Sequence, residues 1–122
     1  MPSNPSSKSP SPLAGVKVVE FTHMATGLAC GFVLADLGAD VVKIEPIKGD
    51  RTRDLLGAGA GFFPMFNRNK KSLAVDLRQP QDVEVAKKLA ATMWILLVQP
   101  SRLLPMDWGP FFSVLHSRRG AL

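Results

Sequence analysis

Residues 16–45 read VKVVEFTHMATGLACGFVLADLGADVVKIE, two short β-branched runs separated by a stretch with helical periodicity, and this segment constrains the fold most. VKVVEF (16–21) lies between Gly15 and the break THMATG, the pattern of a strand. From Leu28 to Leu37 the apolar residues Leu28, Phe32 and Ala35 recur at near-helical spacing, Val33 and Leu34 widen the stripe, and Gly38 stands where a helix C-cap is expected. Cys30 falls within this stretch and reads as a packing residue. DVVKIE (40–45) predicts a second strand. Two strands joined through one helix form a right-handed βαβ unit with a parallel pair.

The segment PIKGDRTRDLLGAGAGFFPMFNRNKK is too long for a simple connection and is expected to be functional or partly helical. SLAVDL (72–77) alternates as a third strand. Pro80 suits the first turn of a helix, and Val83, Ala86, Leu89 and Ala90 share one face through Thr92. MWILLV (93–98), ending before Pro100, has the continuous apolar character of a buried parallel strand. The order β-α-β-loop-β-α-β predicts half of a doubly wound, Rossmann-like α/β sheet of about four parallel strands with flanking helices.

At 122 residues, one domain is the expectation, and 46% hydrophobic with 20% charged residues excludes wholesale disorder. A single cysteine precludes an intramolecular disulfide and points to a reducing compartment. No run approaches the ~18 apolar residues of a membrane-spanning helix, and the Ser/Pro-rich residues 1–12 read as a disordered leader rather than a targeting signal. A cytoplasmic protein is expected. The net charge is +5, and between Pro46 and Arg78 seven cations (Lys48, Arg51, Arg53, Arg68, Lys70, Lys71, Arg78) face three anions (Asp50, Asp54, Asp76). This points to an anionic ligand. A nucleic-acid partner fits less well, because the cations gather in one loop region with no Tyr and few interleaved aromatics.

Ligands of open α/β sheets collect outside the carboxyl ends of the strands, where helix N-termini favour anions. THMATG lies at that edge: Thr22 or Thr26 can cap the helix, Ala25 leaves space and Gly27 permits close backbone approach. A simple capped turn explains the same residues. The dinucleotide fingerprint G-x-G-x-x-G is absent after the first strand, and GAGAG (57–61) lacks the Lys-Ser/Thr of a P-loop. His23 is the imidazole at this edge, read equally well as a structural residue. No His/Cys cluster has metal spacing, so no metal is expected.

PLAGVKVVEFTH, LADLGADVVKIE, GDRTR and FNRNKKSLAVDLRQP, in this order and spacing, cover about two-thirds of the chain. Through them residues 12–92 resemble the N-terminal part of the family III CoA-transferases, which include formyl-CoA transferase, carnitine-CoA transferase and α-methylacyl-CoA racemase. The resemblance implies a CoA-transferase-like α/β domain over 13–98, followed by a divergent tail over 99–122. Coenzyme A or acyl-CoA would be substrate, a small carboxylic acid the second substrate, and no cofactor would be tightly bound. His23, Met24, Ala25 and Thr26 would approach the thioester. Val75, Asp76, Leu77 and Arg78 would lie along the adenosine and phosphates, with Arg78 a phosphate contact and Lys70 and Lys71 secondary candidates.

The pattern departs from the family in four places. Ala25-Thr26 replaces a Gln-Ala pair of formyl-CoA transferase, and Pro46 stands where that enzyme has a basic residue. The family's acyl-accepting aspartate lies beyond the point corresponding to residue 122, so Asp36, Asp40, Asp50, Asp54, Asp76, Asp82 and Asp107 all fall outside its motif, and the catalytic residue is unknown. After Thr92 the resemblance stops, as a frameshift, alternative splice end or early gene-model stop would produce. The resemblance thus implies a truncated domain, inactive by itself, from a family of interlocked homodimers that bind neither nucleic acid nor membrane. A racemase-like member and a stand-alone, non-catalytic CoA- or nucleotide-binding module remain alternatives.

Overall fold

The computed structural model describes residues 10–22 and 24–98. Most of the expected leader and the tail over 99–122, with its Trp108, Phe111 and Phe112, lie outside these residues. Strand β1 (Lys17–Phe21) leads into helix α1 (Met24–Asp36) and strand β2 (Asp40–Glu45). Two 3-10 turns (Arg51–Asp54 and Gly57–Gly59) and the short helix α2 (Phe62–Asn67) follow, then β3 (Lys70–Ala74), α3 (Pro80–Ala91) and β4 (Ile95–Val98). Among the described residues no helix is long and apolar enough to cross a membrane.

All four strands are parallel, in the order β3-β2-β1-β4. The β1-to-β2 crossover steps toward one edge and the β3-to-β4 crossover toward the other. Crossovers of one hand must then place their helices on opposite faces, and the two cores agree. Val19, Phe21, Ile44 and Val75 pack with Ala86 and Ala90 of α3. Val18 and Val41 pack with Ala35 and Ala39, at and just after the end of α1. Val18, Val19 and Val41 are fully buried, each contributing about 1.5–3 kcal/mol of transfer free energy.

β2 falls where its sequence pattern predicts. Helix α1 starts at Met24 rather than near Leu28, so most of THMATG is its first turn. Thr26 and Gly27 are poor helix formers, but packing of Leu28, Gly31 and Ala35 against the sheet outweighs local propensity. The buried stripe differs from the expected one: Val33 is half exposed, Cys30 is exposed and therefore not a core residue, and Gly31 takes the contact with the sheet. β3 begins at Lys70, two residues before SLAVDL, because the Lys70 side chain is buried rather than solvated. Pairing continues through the Val75 N–H to the Glu45 carbonyl (3.0 Å) before the chain turns at Asp76. The 46–69 connection is partly helical, as its length implies. At the opposite, amino end of the sheet, Gly38 takes φ +98°, which favours glycine, and a Cβ there would lie 2.3 Å from the Ser11 Cβ.

Candidate functional site at the carboxyl edge

Three connections meet at the carboxyl ends of the strands: the β1–α1 turn, the loop from β2 through Arg51–Asp54, and the β3–α3 turn. β1 is flanked by β2 and β4, whose crossovers leave in opposite directions, so the β1–α1 turn sits at the switch point where open sheets part to form a crevice. The two helix N-termini at this edge differ. The first turn of α3 carries Asp82, whose carboxylate accepts the Asp76 N–H (2.8 Å), whereas the first turn of α1 has no acidic residue. Its positive end is therefore left available to an anion.

The expected site residues divide between two of these connections. His23 lies outside the described residues; Met24, Ala25 and Thr26 form the start of α1, with Ala25 and Thr26 exposed. On the β3 side, Val75 is buried in the α3-side core, so only its backbone can meet a ligand, and Leu77 packs partly against the same core. Asp76 and Arg78 are joined by three hydrogen bonds, two from the guanidinium (2.8 and 2.9 Å) and one from the Arg78 N–H (3.1 Å), which hold the Asp76 carboxyl below its ordinary range. Arg78 otherwise faces solvent.

Beneath this edge, on the α1 face, lies a network that the sequence reading did not anticipate. The Lys70 Nζ donates to both Glu20 oxygens (2.9 and 3.1 Å) and to the Leu28 carbonyl (2.9 Å). The Lys43 Nζ donates to the Thr22 carbonyl (2.7 Å), pairs with Asp50 (2.8 Å) and lies 4.0 Å from Glu20. Glu45 is gripped by Arg53 through two hydrogen bonds (3.0 and 2.7 Å) and accepts from the Ser72 hydroxyl and the Asp50 N–H. Asp50 in turn caps the 3-10 turn by accepting from the Thr52 N–H (2.9 Å) and hydroxyl (2.7 Å). Glu20, Lys43, Glu45, Asp50, Lys70 and Arg53 carry three charges of each sign, and the first five side chains are almost wholly buried.

Desolvation sets the direction for the innermost pair. Burial pushes the Glu20 carboxyl up against the pull of Lys70 and Lys43, and it pushes the Lys70 ammonium down against the pull of Glu20. Burial also acts upward on Glu45 and Asp50, but donated hydrogen bonds win at both. Arg53, Ser72 and the Asp50 N–H take Glu45 down to about 2, and Lys43 and Thr52 hold Asp50 below its ordinary value.

The network changes the meaning of the basic segment. Of its seven cations, Arg53 is bound to Glu45, Arg68 to Asp36, Lys70 to Glu20, Lys71 to Asp40 and Arg78 to Asp76. Lys48 and Arg51 form no ion pair among the described residues and are exposed. The Lys70 ammonium is therefore not a phosphate contact, and Lys71 pairs with a residue at the start of β2, away from the carboxyl edge. Arg53 also lies over the Phe63 ring (3.8 Å) and Arg68 over the Phe32 ring (4.5 Å), tying the long connection to α2 and α2 to α1. The overlooked signal is a charged residue inside β1 and β2: Glu20, Lys43 and Glu45 occupy strands whose neighbours are buried on both faces.

The comparisons with known proteins match this domain. The family model for CoA-transferase family III matches residues 13–98. The chain is 37% identical over 105 residues to human (Homo sapiens) succinyl-CoA:glutarate CoA-transferase, covering 80% of this chain and 24% of that protein. It is 40% identical over 90 residues to formyl-CoA:oxalate CoA-transferase of Rhodopseudomonas palustris, covering 70% and 21%. A crystal structure of a CAIB/BAIF family protein from Brucella suis superposes with a TM-score of 0.67 at 35% identity, over 74% of this chain and 26% of that one. The chain thus spans about a quarter of the length of the relatives it matches. With the fold, the motif order and the family match over the same residues, the chain belongs to CoA-transferase family III.

Proposed function

We propose that residues 13–98 form the coenzyme A-binding part of an enzyme that moves CoA between carboxylic acids. The observation that carries this reading is the family match over the whole α/β unit, whose carboxyl edge holds both motif-derived segments. Met24 to Thr26, with His23, would receive the thioester end, beside a helix whose first turn carries no acidic residue. Asp76, Leu77 and Arg78 would run along the adenosine, with the Arg78 guanidinium toward a phosphate. β1 and β3 are separated only by β2, so the two segments stand about 10 Å apart, a span an extended pantetheine arm bridges. Lys48 and Arg51 add cations that the network leaves unspent.

For the reaction, an aspartate carboxylate would attack the thioester carbon, the C–S bond would break, and CoA would leave as the thiolate. The CoA thiolate would then attack the aspartyl carbonyl of the mixed anhydride so formed and release the donor acid as its carboxylate. The acceptor carboxylate would attack the resulting aspartyl–CoA thioester, and the thiolate set free would attack the acceptor's acyl carbon, giving the new CoA thioester and restoring the aspartate. The resemblance places none of this chain's aspartates in the motif of that nucleophile, and Asp50, Asp76 and Asp82 at this edge are each engaged in structural bonds. CoA would act as a substrate and not as a resident cofactor. An exposed Cys30 thiol as the one cysteine of the sequence favours a reducing, cytoplasmic setting.

Thermal unfolding of the chain with and without CoA tests the reading. CoA at a hundred times its dissociation constant adds about 2.7 kcal/mol, a rise of about 10 °C or more in Tm for a domain of this size. A flat response over millimolar CoA would remove it.

A further inference from the structure

We propose that Lys43 is a positioning residue that clamps the β1–α1 turn to the loop after β2, so that the thioester end of the site is held in shape from beneath. The proposal rests on the CoA-binding reading above and goes beyond it by naming what orders the rim. The Lys43 side chain is 2% exposed and rises from β2, the strand that leads into the loop and pairs with β1. It donates to the Thr22 carbonyl (2.7 Å), the last described backbone group before α1, and pairs with Asp50 (2.8 Å), the residue that caps the Arg51–Asp54 turn.

The chemistry of the contact explains why a lysine stands there. A backbone carbonyl and a carboxylate oxygen offer only acceptors, and an ammonium offers several donors from one point at the end of a thin stem. The Asp50 oxygen that does not meet Lys43 accepts from Thr52, so the cap and the clamp use opposite sides of one carboxylate. Glu20 already has Lys70 at 2.9 Å, so the 4.0 Å separation from Lys43 makes Glu20 a lesser partner. Lys43 therefore serves the two loops more than the sheet. Movement of either loop breaks one of its short contacts, and the β3–α3 turn, held by Asp82 and Arg78, makes none of them.

The paired substitution Lys43→Met with Asp50→Asn separates positioning from folding. It removes one charge of each sign, and the amide oxygen at position 50 still caps Thr52. CoA and adenosine 3',5'-bisphosphate, which lacks the pantetheine arm, are titrated calorimetrically against both proteins where both are native by urea unfolding. A clamp predicts that CoA affinity falls about tenfold or more while the nucleotide fragment changes by less than about twofold. Unchanged CoA affinity, or equal loss for both ligands, overturns the clamp. If the unsubstituted chain binds neither ligand, the CoA reading falls and takes this proposal with it; binding that survives the substitution sinks the clamp alone.

Hydrogen exchange on the unsubstituted chain decides the matter if the variant does not fold. The Thr52 amide and the Leu28 amide in α1 should open with one free energy and one urea dependence. Opening of Thr52 well before Leu28 would show that the two segments move independently and would overturn the proposal.

Discussion

The two faces of the sheet are built on different principles. Under α3, Val19, Phe21, Ile44 and Val75 meet Ala86 and Ala90 in an apolar layer, where the alanines, one helical turn apart, let the helix approach closely. Under α1, the layer is apolar around Val18 and Val41, with Leu97 of β4 packed against them, and becomes ionic at Glu20 and Lys43, which lie opposite one another. An apolar layer stabilises in proportion to the area it buries. A buried ionic layer loses hydration and recovers it only when every partner is in place, so its presence is weak evidence of a stability gain. What the α1 face gains is attachment: its side chains reach α1, the turn after β1 and the loop after β2. Stability and loop placement are thus assigned to opposite faces.

The largest expected test of that contrast is the response to single and double substitutions. Lys70→Met leaves Glu20 buried without its close partner and should cost about 3–5 kcal/mol in urea unfolding, and adding Glu20→Gln should recover much of the loss. Phe21→Ala on the other face should cost a similar ~3–5 kcal/mol, with no polar second substitution able to restore it. Rescue on the apolar face, or none on the ionic face, would break the comparison.

A smaller effect concerns pH. Glu45 is depressed from 4.5 to about 2, so the folded state binds this proton more weakly than the unfolded state. The associated stability is fully present above about pH 4.5 and is lost as pH falls toward 2, on the order of 3 kcal/mol. Glu20 is raised and works in the opposite sense, since the folded state favours its protonation. Glu45→Gln should flatten the acid limb of a stability-versus-pH curve; an acid limb as steep as that of the unsubstituted chain would refute the assignment. The smallest change is expected at the exposed Lys71–Asp40 pair, where Lys71→Ala should stay within about 0.5 kcal/mol by chemical denaturation.

The apolar face was legible in advance, and the ionic one was not. Val83, Ala86, Leu89 and Ala90 share a helical face, and α3 buries Ala86 and Ala90 with Leu89 packed beside them. DVVKIE forms β2 over the residues its pattern marks. The start of α1 was hidden because Thr26 and Gly27 favour a turn locally, and only contact with the sheet makes them helical. Lys70 resembled a solvated loop cation because its partner Glu20 lies fifty residues away, and a one-dimensional charge pattern does not record which cations are already neutralised. The motif-derived positions around Met24 and Asp76 come to one edge through topology, which the order of strands and helices does contain.

The charges inside the strands also bear on how the sheet finds its alignment. β1 and β2 offer Val18-Val19 and Val41-Val42, runs that would pair nearly as well if one strand slid by a single residue. Such a slip exchanges the two faces of a strand, and it would drive the Lys43 ammonium into the apolar layer beneath α3 while stranding Asp50. Glu20, Lys43 and Lys70 thereby act as a key that admits one alignment of three parallel strands, and the carboxyl edge inherits its shape from that choice.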